Sequence, residues 1–203
     1  MGTRTTPRDA PSDRDAPSDR DAPSDRDAPS AAAGPAEFTL TLTRRCAAPA
    51  SVVYAVLADP LSHLEWGGER QWRVFRLTGL DAPPGPLVAG SRFTSTGSVF
   101  FVYPAVDTSR VTVAEPARQL EFLTENRYAR HCQGTYLNRY ELAPDGDGCV
   151  VTYTFQRLRI TRPPLHMRAP MRLMIQRFGA PRLFGRGLDN LVRTAEAVAA
   201  GQA

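Results

Sequence analysis

The chain has 203 residues, 42% of them hydrophobic and 23% charged, a length that suits one domain of ordinary size rather than two. Its basic residues are all arginine, 25 against 21 acids, and so small a positive excess argues against a nucleic-acid partner. No apolar run approaches the ~18–20 residues of a membrane-spanning helix, and residues 1–36 hold no apolar core of a secretory signal, so the expected location is cytoplasmic.

From Arg8 to Ser30 the chain repeats the hexamer Arg-Asp-Ala-Pro-Ser-Asp, as in Arg8–Asp13, Arg14–Asp19 and Arg20–Asp25. A period this short matches no solenoid repeat. Each unit carries a proline, alternating charges and nothing apolar larger than alanine, so it buries too little surface to offset its ordering entropy. Residues 1–36 are therefore expected to be a disordered tail, ending in the linker Ala31–Pro35, ahead of a domain at 37–203. The tail reads either as a solubilising product of repeat expansion or as a docking segment.

Phe38–Thr43 alternates apolar and polar residues with β-branched threonines, the pattern of a half-buried strand. Ala48–Asp59 has Pro49 near its start and Val52, Val53, Val56 and Leu57 at helical spacing. Asp59-Pro60 stops that helix, and a second short helix through Leu61–Trp66 ends at Gly67-Gly68. Strand signals then follow at Gln71–Leu77, Ser91–Thr96, Arg110–Glu115, Gln119–Arg127, Thr135–Leu142 and Cys149–Leu158. Asp145–Gly148 between the last two is a strong hairpin turn. Beyond Pro163-Pro164 the period becomes helical: Met171, Met174, Ile175 and Phe178 make one apolar stripe, and Leu188, Leu191, Val192, Ala195 and Val198 another. Gly179 and Pro181 between them are expected to kink or split the helix. The fold class is α+β: a curved antiparallel sheet of seven strands around a long C-terminal helix, with two short helices after the first strand.

Cys46, Cys132 and Cys149 lack C-x-x-C spacing, and His63, His131 and His166 lie far apart. Reduced, buried thiols are expected, with no metal site and no cofactor.

In Arg45–Asp59, Glu65-Trp66, Gly90–Phe93, Ala114–Arg118, Tyr140–Leu142 and Gly148–Val151, in that order, the sequence resembles the START / polyketide-cyclase (SRPBCC) superfamily over roughly Phe38 to Ala199. The resemblance implies the helix-grip fold and a hydrophobic cavity between sheet and C-terminal helix. It supplies no catalytic motif, because the family spans cyclases, lipid carriers and receptors.

Strand alternation assigns faces. Leu120, Phe122, Thr124 and Asn126 are expected to point inward, as are Tyr136, Asn138, Tyr140 and Leu142, and Val151, Tyr153 and Phe155. The inner wall then combines Phe122, Tyr153 and Phe155 with polar tips from Thr124, Asn126, Tyr136, Asn138 and Tyr140. Such a wall suits a small-molecule site, or equally a closed core in which those tips bond to one another. Trp66 sits at the expected rim, as a stacking platform or as a core cap; Phe93, Met171, Met174 and Phe178 complete the expected apolar lining. Arg168, Arg172, Arg182, Arg186 and Arg193 fall on one helical side as a solvated face, whereas Arg177 lies nearer the apolar stripe. Arg177 is thus the preferred partner for an acidic or enolate-like ligand, with Arg157 next, on the inward parity of Tyr153 and Phe155.

Two functions share this cavity. One is a cyclase or dehydratase of a hydrophobic carbonyl compound, in which Tyr136 or Tyr140 donates a proton and Arg177 stabilises enolate charge. No inward carboxylate is evident from this pattern, and the facing of His131 is open. The other is a non-catalytic carrier of a lipid or aromatic metabolite. A basic helix face docking on an anionic membrane is a weaker third, for want of flanking aromatic anchors. The expected partner is a hydrophobic small molecule, bound by a monomer or homodimer.

Overall fold

The computed structural model describes residues 35–67, 75–99, 103–128, 132–161, 173 and 175–202. Contacts divide the chain at Ala32/Ala33, and every described residue belongs to the second unit. Residues 1–34 of the tail expected at 1–36, with Met171, Met174, His131, Arg168 and Arg172, lie outside the described residues.

Alternation in the sequence becomes alternation in burial. β1 (Phe38–Cys46) presents Phe38, Leu40 and Leu42 half-buried, with the threonines exposed. α1 (Ala50–Ala58) starts behind Pro49 and buries Val53, Val56, Leu57 and Ala58. Asp59 then leaves helical geometry, and its carboxylate accepts the Leu61 N–H at 3.0 Å. The second expected helix divides into a 3-10 turn at Pro60–Ser62 and α2 (His63–Trp66). Proline opens the 3-10 turn, where its missing N–H costs nothing.

Six strands follow: β2 (Phe75–Asp81), β3 (Arg92–Val99), β4 (Tyr103–Glu115), β5 (Gln119–Tyr128), β6 (Cys132–Asp145) and β7 (Gly148–Thr161). They form one antiparallel sheet in the order β1-β7-β6-β5-β4-β3-β2. The α1–α2 segment therefore carries the chain from one edge of the sheet to the other. Register shifts at Leu77/Gly79, Val111/Val113 and Thr135/Tyr136 interrupt the ladders; bulges of this kind bend long strands and curve the sheet. The β6–β7 hairpin turns at Gly146, whose φ of 63° is the left-handed conformation expected of that turn.

Where the sequence suggested a kink at Gly179–Pro181, the backbone changes helix type. Ile175–Gly179 is a π-helical turn, and α3 (Ala180–Gln202) follows it directly. Pro181 stands in the first turn of α3, where no intrahelical donor is needed. α3 packs on β1, α1 and α2 through Leu183, Leu188, Leu191 and Ala195; Val198, placed on the same stripe by spacing, is exposed. Gly187 allows the close approach: a β-carbon there would lie 3.3 Å from the Gly67 carbonyl oxygen. Polar ties register the helix on the sheet, from Arg44 Nε to Asp189 at 2.6 Å and from the Ala47 N–H to Glu196 at 2.9 Å. Each fully buried leucine, Leu57, Leu120, Leu188 and Leu191 among them, contributes about 1.5–3 kcal/mol of burial. No described helix is long and apolar enough to cross a membrane.

Candidate functional site

The register sorts the inner face of the sheet into rows across the strands. Leu42, Tyr153, Tyr140 and Leu120 form one row. Leu40, Phe155, Asn138, Phe122 and Val111 form the next. Phe38, Arg157, Tyr136, Thr124 and Ser109 form a third. Gly134, Asn126 and Asp107 form a fourth. The inward set expected from alternation on β5, β6 and β7 is the set observed.

The first two rows meet α1 and α2 in a closed aromatic core. His63 is buried, with ring centroids 4.7 Å from Trp66 and 5.6 Å from Phe93. Its Nε2 lies 2.8 Å from the Leu57 carbonyl and must donate to it. Burial holds the imidazole below its ordinary pKa, so the ring is neutral. Trp66 is 5% exposed and its indole N–H donates to Ser62 at 3.0 Å, which makes it a core cap. Tyr140 stacks on Tyr153 at 4.6 Å and meets the Trp66 ring edge-on. Polar tips here are satisfied internally: Tyr153 donates to Asn138 at 2.7 Å, Asn138 to Thr124 at 3.3 Å, and Thr124 pairs with Ser109 at 2.9 Å. For Thr124, Asn138 and Tyr153 the closed-core alternative is the observed one.

The remaining half is more open. Tyr136 stacks on Phe155 at 5.3 Å, and Phe155 on Phe184 of α3 at 4.5 Å, with all three rings half-buried. Gly134 sets the tilt of Tyr136. A β-carbon on Gly134 would lie 2.3 Å from the phenol oxygen, so the hydroxyl occupies the space that a side chain would take in the fourth row. Arg157 lies beside it, cross-strand from both Tyr136 and Phe38. Its guanidinium rests 5.8 Å over the Phe38 ring and Nε donates to Glu37 at 3.2 Å. The buried Nη2 of Arg157 has no hydrogen-bond partner among the described residues. Asn126 donates to the Asp107 carboxylate. Burial raises the Asp107 pKa, an effect the Asn126 hydrogen bond partly opposes. Burial first, then the negative charge of Asp107, keeps the Tyr136 phenol protonated well above the usual range, against the lowering effect of Arg157.

The candidate residues therefore separate. Tyr136, Phe155, Arg157 and Asn126 come together in the open half; Thr124, Asn138 and Tyr153 bound it from the closed side; Trp66, Phe93, Phe122 and Tyr140 belong to the core. Arg177 and Phe178 are exposed. A wheel of 3.6 residues per turn mis-assigns them because Ile175–Gly179 closes i to i+5 and rotates its side chains differently. Arg182, Arg186 and Arg193 are exposed as expected. Alternation also missed an inward carboxylate. β4 begins at Tyr103 rather than Arg110, which brings Asp107 onto the wall, and counting back by twos from Val111 through Ser109 reaches it. Phe184 was missed because it lies between the two helical stripes. Among the described residues no group of three or more His, Cys, Asp or Glu is placed to hold a metal ion.

Three solved structures share the fold at low identity. A protein from Chromobacterium violaceum is 16% identical with a TM-score of 0.54, covering 78% of this chain and 96% of its own. An uncharacterized protein from Rhizobium leguminosarum is 16% identical with a TM-score of 0.56, covering 79% and 95%. A conserved protein from Geobacillus kaustophilus is 12% identical with a TM-score of 0.59, covering 78% and 95%. No curated protein matches the chain. The model of the family described as polyketide cyclase / dehydrase and lipid transport matches residues 37–196, the span that contains the sheet, the two short helices and most of α3. With that span and this fold, the chain belongs to the polyketide cyclase / dehydrase and lipid transport family.

Proposed function

We propose that the domain binds a hydrophobic, ring-bearing small molecule with an anionic or enolate-like group, in the cytoplasm, and catalyses its cofactor-independent cyclisation or dehydration. One observation carries the reading: the buried Nη2 of Arg157, without a hydrogen-bond partner among the described residues, lies cross-strand from the half-buried Tyr136, whose ring continues through Phe155 to Phe184. A buried N–H without an acceptor costs about 1–3 kcal/mol, which a ligand oxyanion relieves, while the rings take its apolar body. Tyr136 stays protonated at neutral pH and donates a hydrogen bond to oxygen as charge develops there.

A non-catalytic carrier is the second reading. It is favoured by the fate of two groups expected to do chemistry, since Tyr140 is part of the core and Arg177 is exposed. Calorimetric titration with 2-naphthoic acid tests the shared site. Saturable binding is expected, and Arg157→Met should weaken it roughly 10- to 150-fold, the equivalent of one hydrogen bond to a charged group. No binding to the wild-type protein sinks both readings. Turnover of an aromatic polyketone by wild type and its loss in Tyr136→Phe support the enzyme; binding without turnover leaves the carrier.

A further inference from the structure

We propose that Asp107 is the proton-accepting group of this site and that its substrates are enolisable ketones carrying a carboxylate on a body of about two fused rings. The inference rests on the binding reading above and adds to it a base and a substrate geometry.

The argument starts from the register. Asp107 on β4 opposes Asn126 on β5, which opposes Gly134 on β6, and over Gly134 lies the Tyr136 hydroxyl. A carboxylate and a phenol are thus carried along one row of the inner wall, with only Asn126 between their strands. Asn126 holds the carboxylate through Nδ2, which fixes one oxygen as acceptor and leaves the other oxygen's lone pairs for a proton. Among the described residues, the charged and titratable groups that interact electrostatically with Tyr136 are Asp107, Cys132, Arg157, Glu37 and Tyr128. Glu37 is engaged by Arg157 Nε, which leaves Asp107 as the carboxylate on the phenol's own wall. Burial raises its basicity, in the direction a general base requires.

Arg157 sets the length of the substrate. β7, which carries it, lies three strand spacings from β4, about 14 Å at about 4.8 Å each. A molecule whose carboxylate meets Arg157 Nη2 and whose α-carbon meets Asp107 has its rings over Tyr136, on the strand next to β7, and its ketone oxygen at the Tyr136 hydroxyl. Asp107 takes the α-proton; the C–H electron pair becomes a C=C bond, and the carbonyl π pair moves to oxygen as an enolate hydrogen-bonded by Tyr136. The enolate carbon then either retakes the proton or attacks a second carbonyl of the same molecule. In the second case a C–C bond forms, and the resulting alkoxide takes the proton back from Asp107. Neither path consumes another reactant.

The experiment is α-proton exchange of 6-acetyl-2-naphthoic acid in D2O, followed by the NMR methyl signal, with binding measured in parallel. Wild type should bind it and exchange its methyl protons faster than buffer. Asp107→Asn, which keeps an acceptor for Asn126, should abolish at least ~100-fold of that acceleration with affinity within about threefold. Tyr136→Phe should slow exchange about 10- to 100-fold and leave affinity similar. Binding without exchange above buffer, or undiminished exchange in Asp107→Asn, overturns the proposal while the pocket stands. Absence of binding overturns the pocket and the proposal together.

Discussion

Gly134→Ala isolates the contact on which the open half of the site is built. The new β-carbon would stand 2.3 Å from Tyr136 Oη, 2.6 Å from Cζ and 2.9 Å from Cε2, all inside van der Waals contact, so the ring has to swing away. Swinging forfeits its stack on Phe155, about 0.5–1.5 kcal/mol, and crowds neighbours at about 1–3 kcal/mol. Against this, alanine restricts the unfolded chain and returns about 0.4–1 kcal/mol, because Gly134 does not hold a positive φ. The substitution should therefore destabilise the protein by about 0.5–4 kcal/mol. In a Tyr136→Ala background the clash is gone and only the entropic gain remains, so the same substitution should stabilise by about 0.4–1 kcal/mol. Denaturant unfolding of the four proteins in this cycle measures the coupling, expected at about 1.5–4.5 kcal/mol, the lost stack plus the crowding. Additivity within about 0.5 kcal/mol would refute the placement of the phenol over Gly134, and with it the row joining Tyr136 to Asp107.

Other outcomes follow from the buried titratable groups. Burial raises the Asp107 pKa in the folded state, so its ionisation opposes folding above the folded pKa and has no effect below the unfolded value of about 3.9. Asp107→Asn should therefore stabilise the protein at pH 7, with the gain fading towards pH 4 in parallel melts. His63 shifts the opposite way, its pKa lowered by burial. The unfolded chain takes up that proton first, so stability falls as pH drops below about 6.5. His63→Phe should flatten that slope while losing about 1–3 kcal/mol at pH 7, because the Leu57 carbonyl is left unpaired. All three cysteines are buried and free; Cys46 and Cys149 face each other across β1 and β7, and burial, with the neighbouring Cys46 thiol, pushes Cys149 up to about 11. Iodoacetamide at pH 7.5 should label the native protein far more slowly than the urea-unfolded chain, which peptide mapping by mass spectrometry would quantify.

The succession of strands and helices along the chain, the hairpin at Gly146 and the inward parity of β5, β6 and β7 were legible in the sequence because alternation survives wherever a strand has one buried face. The start of β4 was not: Tyr103–Ser109 interleaves alanine, valine and small polar residues, and Pro104 interrupts the pattern, so the period of two fades where Asp107 lies. Arg177 and Phe178 were misplaced because hydrophobic spacing presumes one helical pitch, and the π turn supplies another. The division of the polar tips between a closed network and an open row is a matter of register. Only the pairing of Ser109 with Thr124, and of Thr124 with Tyr136, decides which side chains satisfy one another.

Intermolecular NOEs from 2-naphthoate bound to the 13C-labelled protein test the location of the site most directly. Contacts from the naphthalene ring to Tyr136, Phe155 and Phe184, lost together with binding in Arg157→Met, are the expected result. Saturable binding whose contacts fall on the exposed Phe178 or on the outer face of the sheet, with no signal from the inner rings, would contradict it.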